Sequence, residues 1–528
     1  MKKVLISFFI LLSFSAFAQK NVRLRSVLTY QNLLSNVWGY ADSAGREYAL
    51  VGLFDGMSIV DVTNPDSISE LFHIPGPHSI WREIKTWNHH AYATNESGDG
   101  LLIASLEFLP DSVIYFYWTA DTSFKTAHTL FIDEKGILYL FGYNDLNKNI
   151  PYDQRGVLIC DLNPNPESPV IIGKYNVNYV HDGYVRGDTL WASQISAGNF
   201  AVIDVSDKAN PAVLAIQETP NRFTHNCWLS DDGNYLFTTD ERPGAFITSY
   251  DVSDLGNITE LDRYQAAPGS LLIPHNTYFL NNYLITSYYK YGMNIVDAAY
   301  PDNLVEVGYY DTSPFPNGDG FIGCWGVYPF FPSGTIVASD IQTGLYVLTP
   351  DFKRACYLVG NVRDDSTGAP LNDVSVEIMT TGVFKKSNLS GDYRTGASDA
   401  GTYDVRFISS NCLTKIVTGV QLQTALVETL NVALTCTSFV SIPEADGNKM
   451  MLKALPSVFE NETVVRYRLP FNEQAVLKVF DYNGRLVEAL RIADAEGEIV
   501  LGKSLESGIY LVGLFSDSIT TTLRVMRK

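Results

Sequence analysis

From Thr224 to Tyr264 the chain alternates apolar and polar residues in four short runs. These are THNCWLS, YLFTTDE, AFITSYDVSD and NITELDRY, interrupted by the turns DDGN and RPG. Alternation with period two, broken by Gly, Asp and Pro, predicts four antiparallel strands. The pattern returns after His181 (HDGYVRGDTLWASQISAGNFAVIDVSDKANPAVLAI) and after His275 (HNTYFLNNYLITSYYKYGMNIVDAAYPDNLVEVGYY). One four-stranded sheet cannot bury both faces alone, so a unit recurring every 40 to 53 residues predicts a β-propeller.

The third strand of each unit gives the count. GMSIVDVTNP ends at Pro65, GLLIASLEFLP at Pro110, RGVLICDLNPNP at Pro166, GNFAVIDVSDKANP at Pro211, GAFITSYDVSD at Asp254, GMNIVDAAYP at Pro301 and GLYVLTP at Pro350. Each is a glycine turn and a β-branched run, most then closing on Asp or Pro where the ladder stops. Seven copies predict seven blades. Six are followed by a fourth strand; the seventh is not, because the chain leaves at Pro350. Residues 21–31 (NVRLRSVLTYQ) read as the missing strand, which would close the ring and cover a sheet edge.

Composition then narrows the setting. The 528 residues are 46% hydrophobic and 18% charged, which fits globular protein rather than disorder. A net charge of −20 argues against nucleic acid or an anionic membrane as partner, since both need clustered Lys and Arg. Lys2 and Lys3, the apolar run Val4 to Phe14 and Ala16-Phe17-Ala18 read as a secretory signal over 1–18, cleaved near Ala18 to leave Gln19 first. No other stretch reaches the roughly 18 apolar residues of a transmembrane helix, so no transmembrane segment is expected. The six Cys form no CxxC pair, which removes zinc-ribbon and thioredoxin readings. An exported chain permits disulfides, and Cys356, Cys412 and Cys436 fall in one small region, but the spacing does not choose among pairings.

The SIVDV, AVIDV and NIVDA strands resemble the LVIVD repeat, and residues 21–352 resemble the choice-of-anchor B family of exported propellers. That resemblance implies no established catalytic activity. From Cys356 the period changes. Gly360-Asn361-Val362, the turn Asp365 to Leu371 and Gly401-Thr402-Tyr403 resemble a carboxypeptidase regulatory-like domain, which implies a prealbumin-like β-sandwich over 355–437 used as spacer or adhesive module. The polar stretch SIPEADGNKM reads as linker, over 438–448. Residues 449–528 resemble a C-terminal sorting domain of type IX secretion, on Asp481-Tyr482-Asn483-Gly484-Arg485, Ser507-Gly508-Ile509-Tyr510 and the basic end Arg524 to Lys528. Leu455-Pro456 stands where that family usually opens on Asn-Pro. The resemblance implies recognition by the type IX secretion machinery. The expected fold class is therefore all-β: a seven-bladed propeller followed by two small β-sandwiches, located outside the cell or on its outer surface.

Candidate chemistry gathers at one point of the repeat. His78, His128, His181, His225 and His275 each open a first strand, and Trp38 and Trp325 take that place in the first and seventh blades. The innermost strands line the channel, so five imidazoles are expected to ring one mouth. At the ends of the second strands stand Glu96, Asp240, Glu241 and Asp340, with Asn95, Asn144-Asp145 and Gln194 beside them. Three readings of this set stay open: a structural latch between blades, a pocket for a sugar or other polar ligand, and a divalent metal site oriented by second-shell carboxylates. Tyr288, Tyr289 and Tyr291 suit either sugar stacking or packing between blades. No HExxH or GxSxG motif is present, and no His stands apart from its copies, which lowers the case for an enzyme. Three functions follow. One is a non-catalytic exported propeller binding an extracellular glycan or protein. Another is a metal-dependent hydrolase or lyase acting on extracellular polysaccharide. The third is a surface-layer component.

Overall fold

The computed structural model describes residues 19–120, 123–145, 150–436, 451–469, 475–481, 484–492, 494–516 and 520–528. The expected signal peptide, the expected linker and Tyr482-Asn483 of the sorting-type turn lie outside them. Among the described residues the regular structure is β-strand, apart from a short 3-10 turn at Tyr152–Gln154.

Seven antiparallel sheets follow one another along the chain, each running from an inner first strand to an outer fourth strand. The first strands are Leu34–Ala41, Ile84–Trp87, Thr129–Ile132, Asp182–Arg186, Thr224–Leu229, Thr277–Leu280 and Cys324–Tyr328. The inner strands of successive blades pack on one another, and those of the seventh pack on the first, so the ring is closed. The N-terminal segment completes it. Val22–Leu28 pairs antiparallel with Gly344–Pro350 as the outer strand of blade seven, as the pattern at 21–31 predicts. Just before it, Gln19–Lys20 adds a fifth strand to blade six by pairing with Tyr310 and Tyr309. One segment thus covers the outer edges of two neighbouring blades.

The repeated residues explain the repeated geometry. The Asp that ends the third strand accepts the N–H two residues on: Asp61 from Thr63, Asp161 from Asn163, Asp204 from Ser206, Asp251 from Ser253 and Asp297 from Ala299, at 2.8–3.0 Å. These Asx turns stop the strand and leave the carboxylate occupied. The Gly that opens the third strand is there for close approach. A Cβ on Gly56 would lie 2.0 Å from Ile74 O, and one on Gly344 would lie 2.2 Å from Leu28 O. A bulge between third and fourth strands recurs at Ile59/Val60, Ile159/Cys160, Val202/Ile203, Ser249/Tyr250 and Ile295/Val296, adding local twist.

The chain forms two compact units that meet between Cys436 and Thr437. The first holds the propeller and a pair of four-stranded sheets, one built on Cys356–Asp364 and the other on Gly401–Ile408. Val362, Val376, Tyr393, Val405 and Phe407 share their core. Asp297 holds this pair to the ring, accepting from Arg354 Nη1 and Ala355 N at 2.8 Å each. Lys385 reaches Asp262 at 2.6 Å and Arg394 reaches Asp302 at 2.8 Å. Cys412 and Cys436 form a disulfide, while Cys160, Cys227, Cys324 and Cys356 are free and buried. The second unit packs a three-stranded and a five-stranded sheet around Val465, Leu477, Val479, Val512 and Leu514.

Candidate functional site at the channel mouth

Each blade contributes one residue to the rim of the channel, placed there by the inner strand and latched by its backbone. The carbonyls of these residues accept hydrogen bonds from the preceding blade. Thr94 Oγ1 donates to His128 O (2.9 Å), Thr129 Oγ1 to His181 O (2.7 Å), Thr239 Oγ1 to His275 O (2.5 Å), Ser339 Oγ to Ser35 O (2.6 Å) and Asn36 N to Arg82 O (3.4 Å). At these five junctions the latch falls on a main-chain carbonyl; between blades six and seven it is the His275 imidazole, which reaches Trp325 O at 2.6 Å. The imidazoles also face one another. His128 and His181 have ring centroids 4.0 Å apart, His181 and His225 4.5 Å, His225 and His275 4.3 Å, and His275 and Trp325 5.2 Å.

This register corrects two sequence expectations. His78 does not join the ring: it is exposed, lies six residues ahead of Ile84–Trp87 and stacks on Phe54 at 4.8 Å. Arg82 holds the rim position of blade two, with its guanidinium turned onto the carbonyls of Leu53 and Pro77. In blade one the rim position is Ser35. Trp38 sits three residues deeper, against Tyr328 (4.8 Å) and Tyr278 (6.1 Å).

The carboxylates divide as well. Asp240 and Asp340 are turn caps outside the pocket. Asp240 accepts from Thr219 Oγ1, Asn221 N and Phe223 N at 2.6–3.0 Å, and Asp340 from Thr312 Oγ1, Gln342 N and Thr343 N at 2.8–3.0 Å. Glu96 and Glu241 reach the imidazoles. Glu96 Oε1 lies 2.5 Å from His128 Nδ1. The Glu241 carboxylate lies 3.7 Å from His225 Nε2 and 3.8 Å from His275 Nε2, and Tyr289 donates to it at 2.6 Å. Gln194 stays out of the cluster, accepting from Asn178 at 3.1 Å.

These contacts assign the tautomers. His128 donates Nδ1–H to Glu96, and its Nε2 shares a hydrogen bond with His181 Nε2 at 3.1 Å. His181 Nδ1 then accepts from the Tyr179 hydroxyl at 3.3 Å. His275 donates Nδ1–H to Trp325 O at 2.6 Å, which turns a lone pair on Nε2 toward Glu241. His225 Nδ1 has no hydrogen-bond partner among the described residues.

Burial sets the electrostatics. It pushes His181 and His275 well below the ordinary histidine range, helped by the neighbouring imidazoles, and lowers His225 to about 4. It also raises Glu241 to about 7 against the opposing Tyr289 hydrogen bond. Burial raises Glu96 too, but the hydrogen bond and charge of His128 hold it below the usual carboxylate range. The result is that His181, His225 and His275 stand neutral beside the Glu241 carboxyl, a donor set suited to a metal ion or to polar groups of a ligand.

Above this floor opens a pocket of about 390 Å³, lined by His128, His181, His225, His275, Glu241, Tyr289 and Trp325, with Trp81, Phe321, Leu33, Ile80 and Ile341 around it. Trp81 and Phe321 are 42% and 53% exposed and stand at the entrance. Both come from irregular segments outside the repeat, so no sequence register could have placed them. Tyr179 was missed for the same reason. Of the tyrosine run, Tyr289 lines the pocket, whereas Tyr291 turns outward to Glu306 at 3.0 Å.

Below the rim the channel is closed. Asn36 and Lys85 both bond Glu83, and Asn226 donates to Asp182 at 2.9 Å. Three residues down each inner strand from the rim stand Trp38, Lys85, Phe131, Tyr184, Trp228, Tyr278 and Tyr328. Trp228 packs on Tyr184 (4.5 Å), Tyr278 (5.0 Å) and Phe330 (5.8 Å), and Lys85 Nζ lies 4.1 Å over Trp38.

No family model matches the chain, and no curated protein does. Among solved structures it is similar to the Cps50 (Swd1) β-propeller domain of Myceliophteria thermophila, at 12% identity and a TM-score of 0.42, over 61% of this chain and 99% of that one. It is also similar to a putative 6-phosphogluconolactonase of Bacteroides uniformis, at 13% identity and a TM-score of 0.40, over 52% and 85%. The closed ring of sheets in the chain itself makes it a β-propeller.

Proposed function

We propose that this is an exported, non-catalytic propeller that binds an oxygen-rich extracellular ligand, of which a glycan is the best-matched class, in the pocket at its channel mouth. The observation that carries the reading is the pocket's division of labour. Exposed Trp81 and Phe321 offer flat apolar faces at the entrance, while imidazoles, Glu241 and Tyr289 offer buried polar groups at the floor. Sugar rings present the same division, with apolar faces and hydroxyl edges. Export rests on the sequence: the basic, apolar and small-residue run of 1–18, and the resemblance of 449–528 to a type IX sorting domain. The resemblance of 21–352 to choice-of-anchor B propellers and of 355–437 to a carboxypeptidase regulatory-like spacer belongs to the same proposal.

The test is retention on immobilised polysaccharides of known composition, alginate and pectin for uronic acids and xylan and laminarin for neutral sugars. At least one is expected to retain the protein and to lose it with Trp81→Ala plus Phe321→Ala. Retention by none, or retention unchanged in the variant, contradicts the reading. N-terminal sequencing of secreted protein is expected to begin at Gln19.

A further inference from the structure

We infer that the floor of this pocket is a divalent transition-metal site made by His181, His225 and Glu241, with its remaining coordination position open to the pocket. The inference rests on the pocket reading above and supplies the group that would anchor the ligand.

Geometry carries it. One ligand atom from each of the three residues lies within 4.8 Å of the others. Closing that triangle by up to about 1.5 Å gives the tetrahedral spacing around an ion with bonds of roughly 2.0–2.1 Å. The inter-blade latch at His181 acts on its backbone carbonyl and leaves its side chain free to rotate toward the ion. All three residues line the pocket, so an ion held by them would face it directly. His225, with 4% of its surface exposed, leaves Nδ1 without a partner among the described residues, and its Nε2 lies 3.7 Å from Glu241. The His275 backbone and the Asn276 side chain also bear on this ring, but with no full hydrogen bond at Nδ1 the buried imidazole keeps donor capacity to spare.

Supporting groups surround the three. Tyr179, 3.3 Å from His181 Nδ1, can accept Nδ1–H once His181 Nε2 turns its lone pair to the ion. Tyr289 holds one oxygen of Glu241 at 2.6 Å and so leaves the other for coordination. His128, fixed by Glu96, and His275, fixed by Trp325 O, flank the site. Such outer partners orient metal ligands. Two imidazoles and one carboxylate with an open position suit an ion of the zinc type, and the open position suits a carboxylate or hydroxyl oxygen of a bound ligand.

The experiment uses the full chain, stripped with chelator and titrated with Zn2+ by calorimetry and with Co2+ by visible absorption. One ion per chain is expected, with an affinity tighter than about 1 μM and Co2+ bands of a low-coordinate nitrogen/oxygen site. His181→Ala, His225→Ala and Glu241→Gln are each expected to weaken binding by about 100-fold or more, and Tyr179→Phe by about 10-fold. His78→Ala, outside the ring, is expected to leave it unchanged. Circular dichroism identifies any variant that fails to fold, and Glu241→Gln and Tyr179→Phe preserve shape if the alanine variants do not survive. Folded protein that takes up neither ion at about 100 μM, or binding undiminished in the three variants, overturns the inference. Polysaccharide retention by protein that binds no ion would sink the metal site and leave the ligand reading standing. Ion binding without retention would do the reverse.

Discussion

The inner strands carry two layers of side chains that differ in kind. At the rim stand Ser35, Arg82, four histidines and Trp325; three residues below stand six aromatic rings and Lys85. The lower layer is satisfied. Its rings pack edge and face on one another, and the ammonium of Lys85 meets both Glu83 and Trp38. The rim is satisfied in its backbone but only in part in its side chains: His225 Nδ1 has no hydrogen-bond partner among the described residues, and Glu241 stands 3.7 and 3.8 Å from His225 and His275. The same strands thus serve stability below and leave donor capacity above, and residues of the second kind are the ones a ligand can use.

The largest effect that would break this contrast is in the lower layer. Tyr278→Ala removes a buried ring touching Trp38, Trp228 and Phe330, and should cost about 3–5 kcal/mol in denaturant unfolding. Lys85→Met leaves Glu83 buried without its cation and should cost about 3 kcal/mol, most of which the double variant Lys85→Met/Glu83→Gln should restore. If the double variant is no better than the single, the pair does not act as a unit. At the latch, Thr239→Val leaves His275 O without its donor and should cost about 1–2 kcal/mol. At the rim, His181→Ala should change stability by less than about 1 kcal/mol, because side chains poised for a ligand contribute little to the fold. A larger loss would make the imidazoles structural.

An effect of similar size is a pH dependence beside the seventh blade. Burial, with the charge of Asp340 adding, raises Asp311 to about 6. The folded state then holds this proton more tightly than the unfolded chain. The contribution is fully present below about pH 4 and is lost as pH rises toward 6. Asp311 is about half buried, so solvent screening leaves on the order of 1 kcal/mol. Asp311→Asn should flatten the change in Tm between pH 4 and 7 without altering zinc uptake.

The ring of seven was legible because its markers are local. A Gly that must approach a carbonyl, an Asp that caps its own turn and an alternating run between them can be read without knowing any neighbour. Four of the five expected rim histidines, and Glu96 and Glu241, were legible from the same register. His78 and Trp38 were misplaced because the register was anchored on third strands, while the entry into first strands varies. Five residues outside any strand, Ser79 to Glu83, separate His78 from Ile84, and blade one bulges between Leu34 and Val37. Asp240 and Asp340 share the position of the useful carboxylates but turn into their own loops, a choice made by backbone donors that no residue type announces. Trp81, Phe321 and Tyr179 come from connections with no copy elsewhere in the chain.

The most direct test is X-ray absorption at the zinc edge on full-length protein loaded with one equivalent of Zn2+. The account predicts a first shell of nitrogen and oxygen with the outer scattering of two imidazoles, one of which disappears in His225→Ala. A spectrum of hydrated ion, or imidazole scattering unchanged by that substitution, would contradict it.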